Sequence, residues 1–231
     1  MYKKYDAHDV AKQIVSYCIA SKKKFIYISG NGGSGKTELS KLICKEAQKY
    51  GSSNLIDMDD FVVDTQLRRN SKATWIDVRT EAERTGKYTT SFEASYFLQN
   101  VKSILCNLDR GNNYWHWPKK AKSNSECVIE YAADAVLTIV EGIGTVFLDK
   151  DKQCSVSIFM QCTEEIEIAR RIGRARFSNE QDPTIVRQGY EERNSQFEAN
   201  ILPYKRFHDI TFESQECFSL HVTRDDLCLL K

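Results

Sequence analysis

The residues best placed to do chemistry lie in one short stretch, Gly30-Asn31-Gly32-Gly33-Ser34-Gly35-Lys36-Thr37, which fits G-x-x-x-x-G-K-[ST]. Glycines let a loop curl until several backbone N–H groups point inward at one phosphate, and a following helix adds the positive end of its dipole. In that geometry Lys36 reaches the β- and γ-phosphates of a nucleotide such as ATP, and the Thr37 hydroxyl ligates Mg²⁺. Without its surroundings the pattern also describes an ordinary glycine-rich turn from strand to helix. Here Phe25-Ile26-Tyr27-Ile28 enters the turn as a strand, and Glu38-Leu39-Ser40-Lys41-Leu42-Ile43 leaves it as a helix.

Other chemistry-bearing residues recur further on. Asn54-Leu55-Ile56-Asp57 reads as a short buried strand that runs into Met58-Asp59-Asp60-Phe61. Three carboxylates therefore stand at or just past a strand end, where ligands of open α/β sheets bind. One of them can orient a hydroxyl or accept its proton, and the plainer alternative is a solvated acidic turn. A second strand ends in Val140-Glu141-Gly142, and an acid there suits a partner of Mg²⁺, although Glu141 taken alone also suits a helix cap. Arg170, Arg171, Arg174 and Arg176 enrich one segment in positive charge, with Arg170 and Arg174 on one helical face. Such a segment can close over a transferring phosphoryl group and exclude water. It can equally offset a helix dipole.

The elements that must position these groups follow from periodicity. Val10, Ile14 and Tyr17 predict a helix over 6–20, leading to a strand at 24–29. Leu39, Leu42, Ile43 and Ala47 predict a helix stopped near Gly51, and Phe97, Val101, Ile104 and Leu108 another. Residues 62–90 are polar and basic without clear periodicity, as in a surface excursion. Residues 111–131, with Tyr114-Trp115-His116-Trp117-Pro118, predict a β-hairpin. The apolar run 135–140 predicts a strand covered on both faces, and 155–160 a further strand. Helices at 164–177 and 183–200 and a strand at 209–213 complete the chain. Strands alternating with helices imply α/β architecture, a mainly parallel sheet flanked by helices.

Length and composition bound the rest. At 231 residues with a hydrophobic fraction of 41%, the expectation is a single domain over 1–231. A net charge of +1 supplies no field to recruit nucleic acid or a membrane surface. The eight cysteines show no C-x-x-C pair or zinc spacing, which points to reduced core thiols. The charged start of the chain carries no apolar signal segment, and no apolar run is long enough to span a bilayer, so the expected location is cytoplasmic. The base-reading N-K-x-D motif of G proteins and the ABC signature are both missing.

Taken together and in order, these pieces resemble the uridine kinase-like branch of P-loop kinases, which includes phosphoribulokinase- and pantothenate kinase-like members. The likeness runs from Gly30–Thr37 through Asp59-x-Phe61, then Tyr131-Ala132-Ala133-Asp134-Ala135-Val136 into Val140-Glu141-Gly142. It continues through Arg170-Arg171-x-x-Arg174 to Leu202-Pro203-Tyr204-Lys205 and Asp209-Ile210. The resemblance implies a P-loop kinase fold with a hairpin insertion at about 111–131 and an arginine-bearing lid at about 164–182. It implies that ATP and Mg²⁺ are used, with Lys36 on the phosphates, Arg170 and Arg174 on the triphosphate or the acceptor, and Thr37 and Glu141 at the metal. It implies Asp59 as general base on a small-molecule acceptor, with Phe61, Tyr114 and His116 near that acceptor, which a nucleoside would suit. The aromatics at 114–117 equally suit a hairpin core or a contact in a homo-oligomer. Three departures fall on the acceptor side: no acid follows Tyr114, no Asp-His-Pro precedes Thr90-Ser91-Phe92-Glu93, and Ala175 replaces an acid. A kinase for a vitamin precursor or sugar phosphate is the alternative enzyme, and a nucleotide-binding regulatory module the alternative class.

Overall fold

The computed structural model describes residues 4–118, 128–173 and 183–230. The chain opens with β1 (Lys4–Asp6), α1 (Ala7–Ala20), β2 (Phe25–Gly30), α2 (Lys36–Ala47) and β3 (Ser53–Asp57). A 3₁₀ turn at Met58–Phe61 leads to α3 (Thr65–Asn70), β4 (Lys72–Ile76) and β5 (Glu83–Lys87). Then come α4 (Leu98–Asp109), β6 (Tyr114–His116), β7 (Ile129–Tyr131), β8 (Leu137–Glu141) and β9 (Ser155–Gln161). The chain closes with α5 (Glu164–Gly173), α6 (Pro183–Asn200), β10 (Ile210–Ser214) and β11 (Ser219–Asp225).

The main sheet has the order β1-β11-β10-β9-β2-β8-β3. From β10 to β3 all neighbours are parallel, while β11 and β1 add antiparallel strands at the far edge. Strand β2 is buried along its whole length, and its side chains alternate between the faces as a pleated strand requires. Ile26 and Ile28 join the stripes Val10, Ile14 and Cys18 of α1 and Leu39 and Ile43 of α2. Phe25 and Tyr27 join a second core with Phe61, Tyr96 and Val101 on the other face. Helix α1 starts where Asp6 accepts a hydrogen bond from His8 N at 2.8 Å, satisfying one of the free N–H groups of its first turn.

This layering places the chemistry. Gly30, Asp57, Glu141 and Gln161 end neighbouring parallel strands on one edge of the sheet, with Asp57 directly paired to Glu141. Gly30 has φ 135°, and a Cβ there would lie 1.7 Å from the Met160 carbonyl oxygen, so only glycine lets β2 turn into the loop.

Three sequence expectations need revision. Residues 62–90 are structured: β4 and β5 pair as an antiparallel hairpin, with Ala73 and Trp75 buried. Trp75 Nε1 donates to Ser195 Oγ at 2.9 Å, and Arg79 pairs with Glu198 at 2.6 Å, docking the hairpin on α6. The signal was weak because β5 is wholly polar and β4 buries only alternate residues. β1 and β11 were likewise unmarked, since β1 is three residues long and β11 is half polar. Of the cysteines described, Cys18 alone is fully buried; all seven are free, and Cys106, Cys217 and Cys228 are exposed. Among the described residues no helix is long and apolar enough to cross a membrane.

Candidate active site

The loop between β2 and α2 is held by its own side chains. Ser34 Oγ donates to Asn31 O at 2.9 Å, and Lys36 Nζ donates to Gly30 O at 3.1 Å and to Asn31 O. Lys36 is buried at the first turn of α2, and burial lowers its pKa, opposed by the charges of Glu141, Asp59 and Glu167. Thr37 Oγ1 donates to Glu141 Oε1 at 2.8 Å. Glu141 lies at the end of β8, and burial raises its pKa. Lys36 and the Thr37 hydrogen bond oppose that shift, while Asp57 and Asp59 add to it. A hydroxyl beside a buried carboxylate is a hard-oxygen pair that fits Mg²⁺, which takes its remaining ligands from phosphates and water. Among the described residues no cluster of three or more His, Cys, Asp or Glu is arranged to hold a metal without such help.

The arginine segment lies against the loop as α5. Arg170 Nη1 donates to Gly33 O at 2.7 Å and to Ser214 Oγ at 2.9 Å, while Nη2 donates to Gln215 O at 2.6 Å. It ties the loop to the turn between β10 and β11. Arg171 makes a two-pronged contact with Glu167 Oε1, 2.8 Å from Nε and 2.7 Å from Nη2. The other oxygen of Glu167 accepts from Asn31 Nδ2 at 2.8 Å, so one buried carboxylate joins loop and helix. A Cβ at position 32 would lie 2.0 Å from Arg171 Nη2, so the Arg171–Glu167 pair packs directly on the loop. Arg174 lies outside the described residues.

Across from the loop, Asp57 Oδ1 caps the 3₁₀ turn by accepting from Asp59 N at 2.9 Å, and Asp59 stands exposed. Lys36, Thr37, Asp57, Asp59, Glu141 and Arg171 all border one cavity of about 820 Å³, as do Gly32, Gly33 and Arg170. Asp60 does not border it. Neither do Phe61, Tyr114 and His116: Phe61 is buried in the core and stacks on His116 with ring centroids 4.5 Å apart. His116 in turn faces Tyr131, so this part of β6 and β7 closes a hydrophobic core. Trp115 and Trp117 are exposed and also away from the cavity.

Several wall residues had no motif to mark them. Arg68 and Arg69 come from α3, and Lys87, Tyr88, Thr89 and Thr90 from the exit of β5. Arg193 comes from α6. The basic character of the 62–90 excursion was the one available signal for the first two groups. Arg193 and Glu167 carried none, because nothing local distinguishes them from surface charges on a helix.

A phosphate-type loop at the C-terminal edge of a parallel sheet, faced by carboxylates and backed by an arginine helix, defines a P-loop protein of the kinase type. The chain belongs to the phosphoribulokinase / uridine kinase family, whose model matches residues 25–220. Among solved structures it is similar to D-glycerate 3-kinase from Cryptococcus neoformans var. grubii, at TM-score 0.59 and 10% identity, over 90% of this chain and 94% of that one. It is also similar to phosphoribulokinase from Rhodobacter spheroides, at TM-score 0.55 and 14% identity, over 84% of this chain and 70% of that one. Both likenesses are of fold. No curated protein sequence matches the chain.

Proposed function

We propose that the protein transfers the γ-phosphoryl group of ATP, with Mg²⁺, to a hydroxyl of a small metabolite. The observation that carries this reading is the placement of Lys36, Thr37 and Glu141 on one wall of the cavity that Asp59 borders from another. A bound Mg²⁺ would neutralise negative charge on the phosphates. Thr37 and Glu141 would hold it. Lys36 supplies positive charge to the phosphates once it leaves the loop carbonyls. Asp59 accepts the acceptor hydroxyl's proton, and its exposure at the cavity wall leaves it reachable. Arg170, which borders the cavity and holds the loop through Gly33 O, would add positive charge beside the transferring group, as would Arg171 next to it. Arg174 is carried only by the family pattern.

The acceptor expected from the family likeness is a nucleoside held by the hairpin aromatics. Their distance from the cavity wall favours the alternative, an acceptor other than a nucleoside. Among the described residues the ring that does border the cavity is Tyr88, edge-on to Phe92 with centroids 5.0 Å apart. The deciding experiment is ADP formation by the purified protein with Mg·ATP across nucleosides, sugars, polyols and their anionic derivatives. Acceptor-dependent ADP release supports the kinase reading. Tight nucleotide binding with none across the panel would instead support a regulatory module.

A further inference from the structure

Arg193, on α6, borders the large cavity and also a crevice of about 30 Å³ that it shares with Asn31, Gly32, Glu167 and Arg171. Its Nε is buried without a hydrogen-bond partner. The carboxylates whose charge reaches it, Glu167 and Glu192, are engaged by Arg171 and Lys87. Burial, and after it the like charge of Arg171, lower its pKa to about 10, so it stays a cation at neutral pH. A largely buried cation short of an anion is costly, and in a cleft it marks a place for an anionic ligand.

Lys36 tells which end of a nucleotide lies here. The lysine of such a loop reaches the β- and γ-phosphates. Its Nζ turns back from the start of α2 to rest on Gly30 O and Asn31 O. The first half of the loop therefore faces the γ end. Gly32 belongs to that half, and Arg193 lines the crevice beside it. The backbone that carries Arg193 is fixed by its neighbours on α6. Glu192 pairs with Lys87 at 2.8 Å, and Ser195 Oγ accepts from Trp75 Nε1 at 2.9 Å. Gln196, wholly buried, accepts from Thr89 N at 3.2 Å and donates to Lys87 O at 3.0 Å. A cation mounted this way needs little reorganisation to act on developing charge.

We propose that Arg193 is a further catalytic residue, its guanidinium contacting the γ-phosphoryl oxygens of bound ATP from outside the Arg170-Arg171-x-x-Arg174 segment. This rests on the kinase reading above. The planar fork of a guanidinium matches two phosphate oxygens, and its charge offsets the charge that spreads over them during transfer. In that step the bond from the γ-phosphorus to the β–γ bridging oxygen breaks, and ADP leaves with the electron pair. The acceptor oxygen bonds to the γ-phosphorus, and its proton passes to Asp59. Arg193 exchanges no proton. A diphosphate leaves it without an anion, so Arg193 distinguishes ATP from ADP.

The test needs no acceptor. Mg·ADP and the Mg²⁺ complex of a non-hydrolysable ATP analogue are titrated calorimetrically into the full chain, as parent, Arg193→Lys and Arg193→Gln. In Arg193→Gln the analogue should bind about tenfold to a hundredfold more weakly, with ADP within about twofold of the parent. Arg193→Lys keeps the charge but loses the fork, and should fall between the two. Unliganded Arg193→Gln should melt no lower than the parent, because the change removes a buried charge that has no anion. Equal weakening of both nucleotides, with or without a lower melting midpoint, would mark Arg193 as structural and overturn the contact. No change for either nucleotide would overturn it as well. A parent protein that binds neither nucleotide would instead strike the kinase reading, and the contact with it.

Discussion

The two walls of the cavity are built differently. On the loop wall almost every polar group already has a partner within the protein. Lys36 rests on loop carbonyls, Thr37 on Glu141, and Asn31 and Arg171 on Glu167. Elsewhere on the wall Asp59 and Arg69 border the cavity without an ion-pair partner among the described residues. The first wall is preorganised and shaped by itself, as electrostatic stabilisation of phosphoryl transfer requires. The second is incomplete until something binds. A donor site can be generic because its ligand is always a nucleotide, whereas an acceptor site must leave its specificity to be satisfied by one molecule.

The sharpest way to break this contrast is Asp59→Asn. The loop wall is untouched, so ATP affinity should stay within about twofold, while kcat falls by about 10²–10⁴-fold. Parallel loss of nucleotide binding in isothermal titration would show that the walls are not separable. Next in size is Lys36→Ala, which removes charge from the donor wall. Turnover should drop by about 10²–10³-fold and ATP engagement should weaken with it. Unchanged turnover there would end the assignment of the loop.

Glu167→Gln asks whether the donor wall is a connected unit. The amide can still accept from Asn31 but no longer pairs Arg171, a loss of about 1.5–3 kcal/mol for a buried charge-assisted contact. That corresponds to a melting midpoint roughly 3–10 °C lower, with KM for ATP raised about tenfold and kcat little changed. A fall in kcat alone would mean that Glu167 acts on the reaction rather than on the wall.

The smallest effect serves as a control away from both walls. His208 is buried against Phe159, its Nδ1–H donating to Tyr204 O at 2.9 Å, and burial, then the Lys150 charge, lower its pKa to about 4. Its unfolded value is near 6.5, so between the two the unfolded chain binds the proton and the native protein does not. Stability is therefore fully present above about 6.5 and declines as pH falls toward 4. His208→Asn should flatten that slope in urea titrations, equally with and without the ATP analogue. A slope that depends on the analogue would place the titrating group on a wall of the cavity instead.

The residues show why one wall was readable and the other was not. The hydrophobic alternation of β2, the helical stripes of α1, α2 and α4, and the glycine spacing of the loop are local patterns, each spanning a few turns or a few strand residues. They sufficed for the parallel α/β sheet and for the loop that carries Lys36 and Thr37. The hairpin at β6 and β7 was also legible, but its role was not. Tyr114 and His116 read as well for a base-stacking site as for a core, and their neighbours Phe61 and Tyr131 decided for the core. The β4–β5 hairpin escaped notice because its burial comes from α6, more than a hundred residues away.

By itself, the sequence determined the phosphate-type loop, because Gly30 to Thr37 is contiguous and its geometry follows from glycine torsions, a helix start and a strand end. It also determined that carboxylates would follow at the ends of β3 and β8, since strand ends in such a sheet share an edge. Only the tertiary structure decided what else lines the cavity. Arg69, Lys87 and Arg193 lie on three elements with no common period, and long-range packing of the β4–β5 hairpin against α6 brings them together. Burial, which no local pattern reports, then leaves the Arg193 Nε without a hydrogen-bond partner.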